Sequence, residues 1–501
     1  MIKERADSKS LQKFISISLV LFLLTNLVFA VFQVNNSPYD HDELQHVHIG
    51  WNVHNGKIIY KDFFEHHGPV FAFFNSFHFD IFALQPETDT IVTLRYASFI
   101  SLIAILCITF LIGREIFQSN FAGLFASALL SGLLFIREAS TEVRPDVLQN
   151  VFWLGGVFIF LHAMRKEKTS LPFFSGIVLG LAVTTNSKAF VGVFAIYIYL
   201  ALSWFLFKEN RNRINKEGLM IALGIILMFT VIASYFIINN AFDEYIFYNF
   251  EFNLIALMEY HSRNLRELAG VFIKSQTVFV LSGIAAVAFL LSALIKSRFK
   301  VNDKKYLFLF VITLVSSTTI FLGLYKQQYI LFLPFISILI FYIFKIFIDK
   351  AHINKRYIYY SMIFVILLYG NILYSAIEDT PFKKTTEQKN QNALTRFVID
   401  NTDRSDPVFF LWNNCGGYMF NEDVQYFWLE NEGFKSFYNR IVGYEVFGDR
   451  LIEKFEKKNV RYIVSPEKHL KNVLSEKAFT YILNNFSNEN EFNGCLWIRK
   501  H

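Results

Sequence analysis

The sequence predicts a polytopic α-helical membrane protein with a small α/β domain at its C-terminal end. Three observations carry that expectation. Apolar runs of membrane-spanning length recur between residues 14 and 377. Basic residues cluster between alternate runs. Residues 378–501 have an ordinary soluble composition in which strand-like and helix-like patterns alternate.

The first observation begins in composition. Of 501 residues, 53% are hydrophobic and the mean hydropathy is +0.35. Soluble domains are about 45–50% apolar, so the excess is modest and must be concentrated in part of the chain. A helix crossing a bilayer needs about 20 apolar residues. That length selects candidate spans at 14–34, 92–113, 117–136, 147–164, 171–185, 189–207, 218–238, 271–295, 306–324, 328–348 and 357–377, eleven in all. The run 171–207 is too long for one helix and is divided by the polar stretch Thr184-Thr185-Asn186-Ser187-Lys188. The first span resembles a signal peptide, with Val28-Phe29-Ala30 as a weak cleavage site, but is expected to be retained as an anchor.

The second observation sets direction. Lys3, Arg5, Lys9 and Lys13, then Arg165, Lys166 and Lys168, then Lys208, Arg211, Arg213 and Lys216, then Lys296 to Lys305, fall in alternate segments; the intervening segments hold far fewer. The positive-inside rule then places the N-terminus in the cytoplasm of a multi-pass protein of the plasma or inner membrane. With an odd number of spans, the C-terminal domain is extracytoplasmic. The net charge of +6 resides in these topological clusters and does not imply a nucleic-acid partner. Membrane lipids are the implied surroundings.

The third observation concerns the tail. Strand-like runs at Val408–Trp412, Arg461–Val464 and Cys495–Arg499 alternate with helical patterns near 387–401, 447–458 and 473–485, the signature of a small α/β domain. Cys415 and Cys495 both lie here; they could form a disulfide, but two small buried thiols are the expected reading. No metal-binding cysteine spacing occurs. The expected division is a membrane domain over 1–377, with a long first outer loop at 35–91, and an extracytoplasmic domain over 378–501.

Acidic residues and histidines gather on the outer side. The first outer loop contains Asp40-His41-Asp42-Glu43, His46, His48 and His54, followed by Gly56-Lys57 and Tyr60-Lys61-Asp62-Phe63-Phe64-Glu65-His66-His67-Gly68-Pro69. The second outer segment includes Glu138 and Glu142-Val143-Arg144-Pro145-Asp146, and the third is the break at Lys188. Ionisable groups at membrane depth are costly and mark functional cavities. A solvated loop accounts for the histidines taken singly. It accounts less well for Asp42 and Asp146, which lie close to spans. Pro145 suits the first turn of a helix, which puts Asp146 where the helix dipole favours a carboxylate.

These motifs resemble those of the GT-C superfamily of polyprenyl-phosphate-sugar-dependent glycosyltransferases, the group containing protein O-mannosyltransferases and aminoarabinose transferases of lipid A. The features that match are Asp42-Glu43 after the first span, the Gly56–Pro69 stretch, Glu142–Asp146 before the fourth span, and Lys188 with Gln328-Tyr329-Ile330-Leu331-Phe332-Leu333-Pro334. The resemblance implies transfer of a hexose or pentose from a polyprenyl-phosphate-linked donor to a lipid, glycan or protein acceptor hydroxyl on the outer face. It implies Asp42 as general base, with Glu43 and Asp146 as further catalytic candidates. The implied substrate and phosphate contacts are Lys188, Arg144, Glu142, His66, His67, Lys326 and Tyr329. Asp42 and Asp146 could share a divalent cation. Carboxylates alone suit Mg²⁺ or Mn²⁺, and histidine would admit Zn²⁺. Gln328 departs from the basic residue or histidine often found before the tyrosine, leaving Lys326 as its replacement. Three other classes compete: a transporter or flippase of lipid-linked sugars, an O-antigen ligase or polymerase, and a membrane-anchored sensor.

Overall fold

The computed structural model describes residues 2–166, 168, 170–255, 304–319, 329–350, 377–378, 380–411, 415–416, 420–427, 435–489 and 492–500. The spans expected at 271–295 and 357–377 lie essentially outside these residues. So do Lys326 and Gln328.

The N-terminal part is helical. Its elements are α1 (Ile2–Asn36), α2 (His41–His54), α3 (Pro69–Ile81), α4 (Thr88–Phe117), α5 (Asn120–Ser131), α6 (Leu134–Ala139), α7 (Pro145–Lys166), α8 (Leu171–Thr185), α9 (Ala189–Leu206), α10 (Arg211–Ile238), α11 (Phe242–Ile246), α12 (Lys304–Ser317) and α13 (Leu333–Lys350). Among the described residues, five segments are long and apolar enough to cross a membrane: Gln12–Asn36, Thr88–Phe117, Pro145–Lys166, Ala189–Leu206 and Lys208–Ile238. Shorter apolar helices run over Asn120–Ser131, Leu171–Thr185 and Leu333–Tyr342. Large apolar side chains stay exposed along α1, α9 and α10, including Leu21, Phe205, Leu206, Leu219 and Ile238. Contiguous exposed apolar surface of this kind needs a lipid or protein cover.

The run expected to span at 117–136 is interrupted. Gln118 adopts a left-handed conformation that ends α4, Ser119 caps α5 by accepting from the Ala122 N–H, and α5 stops at Gly132. The split of 171–207 occurs where the polar break lies. Asn186 ends α8 and Lys188 precedes α9. The helices pack through small residues. A Cβ built on Gly176 would stand 2.2 Å from the Ile221 carbonyl oxygen, and one on Gly224 would stand 2.3 Å from that of Phe173. The α8 and α10 backbones therefore approach as closely as glycine allows, a common way for membrane helices to gain packing contacts.

The 35–91 segment is mostly helix. Asp40 caps α2, its carboxylate accepting from the Asp42 N–H at 3.0 Å, and Pro69 opens α3. Asp42 and Glu43 then fall in the first turn, where the helix dipole favours negative charge.

The C-terminal part holds a five-stranded mixed sheet, β1 (Pro407–Phe410), β2 (Glu422–Asp423), β3 (Tyr462–Val464), β4 (Phe486–Glu489) and β5 (Leu496–Arg499), in the order β2-β1-β3-β5-β4. β1 pairs in parallel with β2 and β3; β5 is antiparallel to β3 and β4. Helices Thr386–Asn401, Asp449–Lys457 and Glu476–Asn485 match the expected patterns. Cys415 and Cys495 form a disulfide, with Cα atoms 5.9 Å apart.

This sheet region docks on the first loop. Trp51 Nε1 donates to the Phe420 carbonyl at 3.0 Å, the Phe64 N–H to that of Tyr426 at 3.1 Å, and Lys57 pairs with Glu422 at 2.9 Å. Buried His48 places Nε2 2.9 Å from Asp423. One hydrophobic core runs from Tyr39, Trp51 and Phe64 through to Phe410 and Trp497.

Candidate functional site

Three chain segments converge at one end of the helical part: the start of α2, the start of α7 and the α8–α9 break. Arg144 joins the first two. It donates to Asp42 through Nη2, and through Nη1 to Asp40 at 3.0 Å and to Glu142 at 3.2 Å. Lys188 joins the second to the third. Its Nζ lies 2.8 Å from Asp146 Oδ1, which also receives a 3.4 Å contact from Asn186 Nδ2. The Lys188 N–H in turn donates to Asn186 Oδ1 at 3.2 Å, fixing the break. Carboxylates and cations therefore alternate along Asp42, Arg144, Asp146 and Lys188.

Exposure separates these groups. Asp146 and Arg144 are buried, whereas Asp42 keeps 33% of its side chain exposed. Partial burial alone would raise the Asp42 carboxyl, but Arg144 and His41 outweigh it and hold the pKa well below the usual carboxylate range. His41 Nε2 is 3.0 Å from Asp42 Oδ1. For Arg144 burial works against the charge, and Asp42, Glu142 and Asp40 more than restore it. Asp42 is thus ionised at any physiological pH and reachable from outside.

One turn along α7 from Asp146, Asn150 is fully buried, and neither its Oδ1 nor its Nδ2 has a partner. Such a group is uncommon in a native interior.

A second cluster comes from the loop before α3. Glu65, buried, accepts from the N–H groups of His66 and His67 at 2.8 and 2.7 Å, and from His67 Nδ1 at 2.6 Å. The His46 ring stands 4.9 Å from that of His67. Burial and the neighbouring His67 lower both His46 and His66 to about 3, leaving them neutral. Glu65 is held below its usual range, because His67 overcomes the effect of burial. The loop is pressed onto the α8 terminus through Gly68, where an added Cβ would lie 2.1 Å from the Thr184 carbonyl oxygen. Gly68→Ala is expected to destabilise the protein by about 1–3 kcal/mol, as overpacking does. A thermal melt of the purified variant checks this; an unchanged Tm would contradict the close approach.

Two of the expected residues, Glu43 and Tyr329, are buried. Glu43 is fully buried, grips Arg95 with both oxygens at 2.7 and 2.6 Å and accepts from the Val143 N–H at 3.1 Å. Its carboxylate is committed to the interior. Tyr329 is buried in the membrane-side core, beside Phe332. The cation expected between Asp42 and Asp146 finds a different arrangement. Among the described residues, the groups whose ligand atoms lie within 4.8 Å of one another are His46, Glu65 and His67, and Asp40, His41 and Asp42. Arg144, rather than another carboxylate, stands against Asp42.

Sequence reasoning did not select Asp40, His46, Glu65 or Arg95 for the site. Arg95 had a usable signal, an arginine inside a long apolar helix.

The sequence profile of the dolichyl-phosphate-mannose-protein mannosyltransferase family matches residues 66–238, from His66 in the second cluster to the end of α10. In structure, the oligosaccharyltransferase of Archaeoglobus fulgidus solved with zinc and sulfate is similar with a TM-score of 0.59 at 14% identity, over 93% of this chain and 71% of that one. Residues 66–238 are thus similar in sequence to a mannosyltransferase family, and the chain is similar in fold to a membrane oligosaccharyltransferase. A second structure of the A. fulgidus enzyme, tethered to an acceptor peptide containing the NVT sequon, is similar at TM-score 0.54 and 12% identity, over 96% of this chain and 74% of that one. ArnT of Cupriavidus metallidurans, bound to undecaprenyl phosphate, gives 0.47 at 13% identity, over 75% and 68%. Among curated proteins no sequence matches.

Proposed function

We propose that this protein is a glycosyltransferase of the GT-C type, transferring a sugar from a polyprenyl-phosphate donor to an acceptor hydroxyl on the extracytoplasmic face of the membrane, with Asp42 as general base. The observation that carries this is the half-buried, ionised Asp42 carboxylate on Arg144, in one cluster with Asp146 and Lys188. The acceptor O–H would give its proton to Asp42 as the acceptor oxygen bonds to the sugar's anomeric carbon. The bond from that carbon to the phosphate oxygen breaks, and its electron pair leaves on the phosphate. Lys188 has three ammonium donors and needs one for Asp146, so others can meet the departing phosphate. The Asn150 amide beneath Asp146 adds polar capacity at that depth. Glu142 and Asp40 hold Arg144 in place. A displacement of this kind inverts the sugar's stereochemistry.

The outer-face assignment draws on two features. The Asp42–Lys188 cluster lies at the α7 end opposite Arg165 and Lys166, and the Cys415–Cys495 disulfide suits an oxidising compartment. Membrane proteins keep basic clusters inside.

His46, Glu65 and His67 would hold a divalent cation, and this mixed imidazole and carboxylate set suits zinc. Such an ion would supply electrostatic stabilisation of phosphate charge.

Lys188→Gln tests the donor site. Losing a charged hydrogen-bond donor predicts a rise in donor KM of about tenfold or more, measured with a radiolabelled polyprenyl-phosphate sugar in proteoliposomes. Unchanged KM and kcat would remove Lys188 from the mechanism. An EDTA arm in the same assay tests the cation.

A further inference from the structure

At the opposite end of α7, α9 and α10 lies a cavity of about 220 Å³, far along the helices from Asp42. Its lining includes Ser203, Arg213, Glu217, Lys304 and Lys305. Three of these are cations and one is a carboxylate. Glu217 pairs with Arg213 at 2.8 Å, so the balance of the named charges is positive. The cations are held by local contacts. Arg213 Nη2 donates to the Met164 carbonyl at 3.0 Å and Lys305 Nζ to that of Glu115 at 3.0 Å, while Lys304 Nζ sits 5.1 Å above the Phe207 ring.

Ser203 adds an independent sign. It is 2% exposed, lines the cavity, and its Oγ has no hydrogen-bond partner. A serine inside a helix ordinarily donates to the carbonyl four residues back, and buried hydroxyls are normally satisfied. The Ser203 hydroxyl is thus a polar group without a partner in a cavity whose named charges balance positive. Phosphate oxygens are acceptors of the right charge.

We infer that this cavity binds a phosphate-bearing group, seated among Ser203, Arg213, Lys304 and Lys305. Beside it, Phe205 and Leu206 of α9 are exposed apolar side chains on the surface that would face acyl chains. The arrangement fits an anionic phospholipid, with headgroup in the cavity and tails along α9. Basic pockets between membrane helices on the cytoplasmic side take anionic headgroups by the same physics. The inference does not depend on the assigned reaction, and none of these residues belongs to the Asp42–Lys188 cluster.

The test is native mass spectrometry of the full chain with phosphatidylglycerol and with phosphatidylcholine, alongside thermal melts with and without inorganic phosphate. Wild type is expected to retain one phosphatidylglycerol where phosphatidylcholine is lost. Lys304→Gln with Lys305→Gln should weaken that retention about tenfold or more, as expected for removing two interfacial charges. Ser203→Leu, which fills the cavity and leaves every charge in place, should weaken it as well. If inorganic phosphate alone raises the wild-type Tm, a soluble phosphate is the ligand; retention of lipid without that rise identifies the headgroup. Equal retention of both lipids by wild type with no phosphate effect would overturn the inference. So would undiminished phosphatidylglycerol retention in either variant.

Discussion

Asp42→Asn is expected to lower sugar transfer by about 10²–10⁴-fold, the usual contribution of a positioned general base. The substitution keeps the shape of the side chain and an oxygen for Arg144. It removes the negative charge and the proton-accepting oxygen. The fold should persist, because Asp40 caps α2 and Arg144 keeps Asp40 and Glu142 as partners. Initial rates in proteoliposomes, paired with thermal melts, separate the two effects. A variant that melts with wild type and transfers at the wild-type rate would dismiss Asp42 as the base. The depressed Asp42 pKa adds a signature. A carboxylate held below its usual value of about 4 stays charged as pH falls from 7 to 5. Any loss of activity over that interval must therefore come from another group.

Glu43→Gln is expected to cost about 3–5 kcal/mol of stability, the range seen when one partner of a buried ion pair is removed. Glu43 and Arg95 are both almost completely buried. Arg95 also donates to the carbonyls of Val34, Ser37 and Pro38 at 3.1, 2.9 and 2.8 Å, tying the end of α1 to the start of α2. Removing the carboxylate leaves a guanidinium charge in the interior beneath the site. A steep fall in Tm or in folded yield is the expected result. Replacing both partners with apolar residues of similar volume should cost less than the single change. If Glu43→Gln melts like wild type and yet abolishes transfer, Glu43 acts in catalysis and its interior role is wrong.

The pairing of Glu43 with Arg95 shows what a sequence conceals. The two lie 52 residues apart, and nothing in either neighbourhood specifies the other. Glu43 follows Asp42, so adjacency suggests a catalytic pair. On a helix, however, successive residues point about 100° apart. Asp42 turns toward Arg144 while Glu43 turns inward. Distance in sequence likewise hid the approach of His67 to His46.

Features set by local chemistry were legible. Apolar length located α4, α7, α9 and α10, and the polar Thr184–Lys188 stretch marked the break that presents Lys188. Pro145 placed Asp146 in the first turn of α7. Alternation in the tail found β1, β3 and β5. It missed β2, which is two residues long, and β4, which follows a helix without a turn residue between them. The pairing of Asp146 with Lys188 was only half visible. Each residue stood out alone, and the 2.8 Å contact needed the packing of α7 on α8.

The central claim is that the Asp42–Lys188 cluster transfers sugar and does not merely pass it across the bilayer. The most direct measurement follows radiolabelled polyprenyl-phosphate sugar in proteoliposomes of wild-type protein supplied with an acceptor extract. The expected result is label covalently attached to acceptor, with unlabelled polyprenyl phosphate released. Label that crosses the bilayer while still joined to its polyprenyl phosphate, with none on the acceptor, would contradict it.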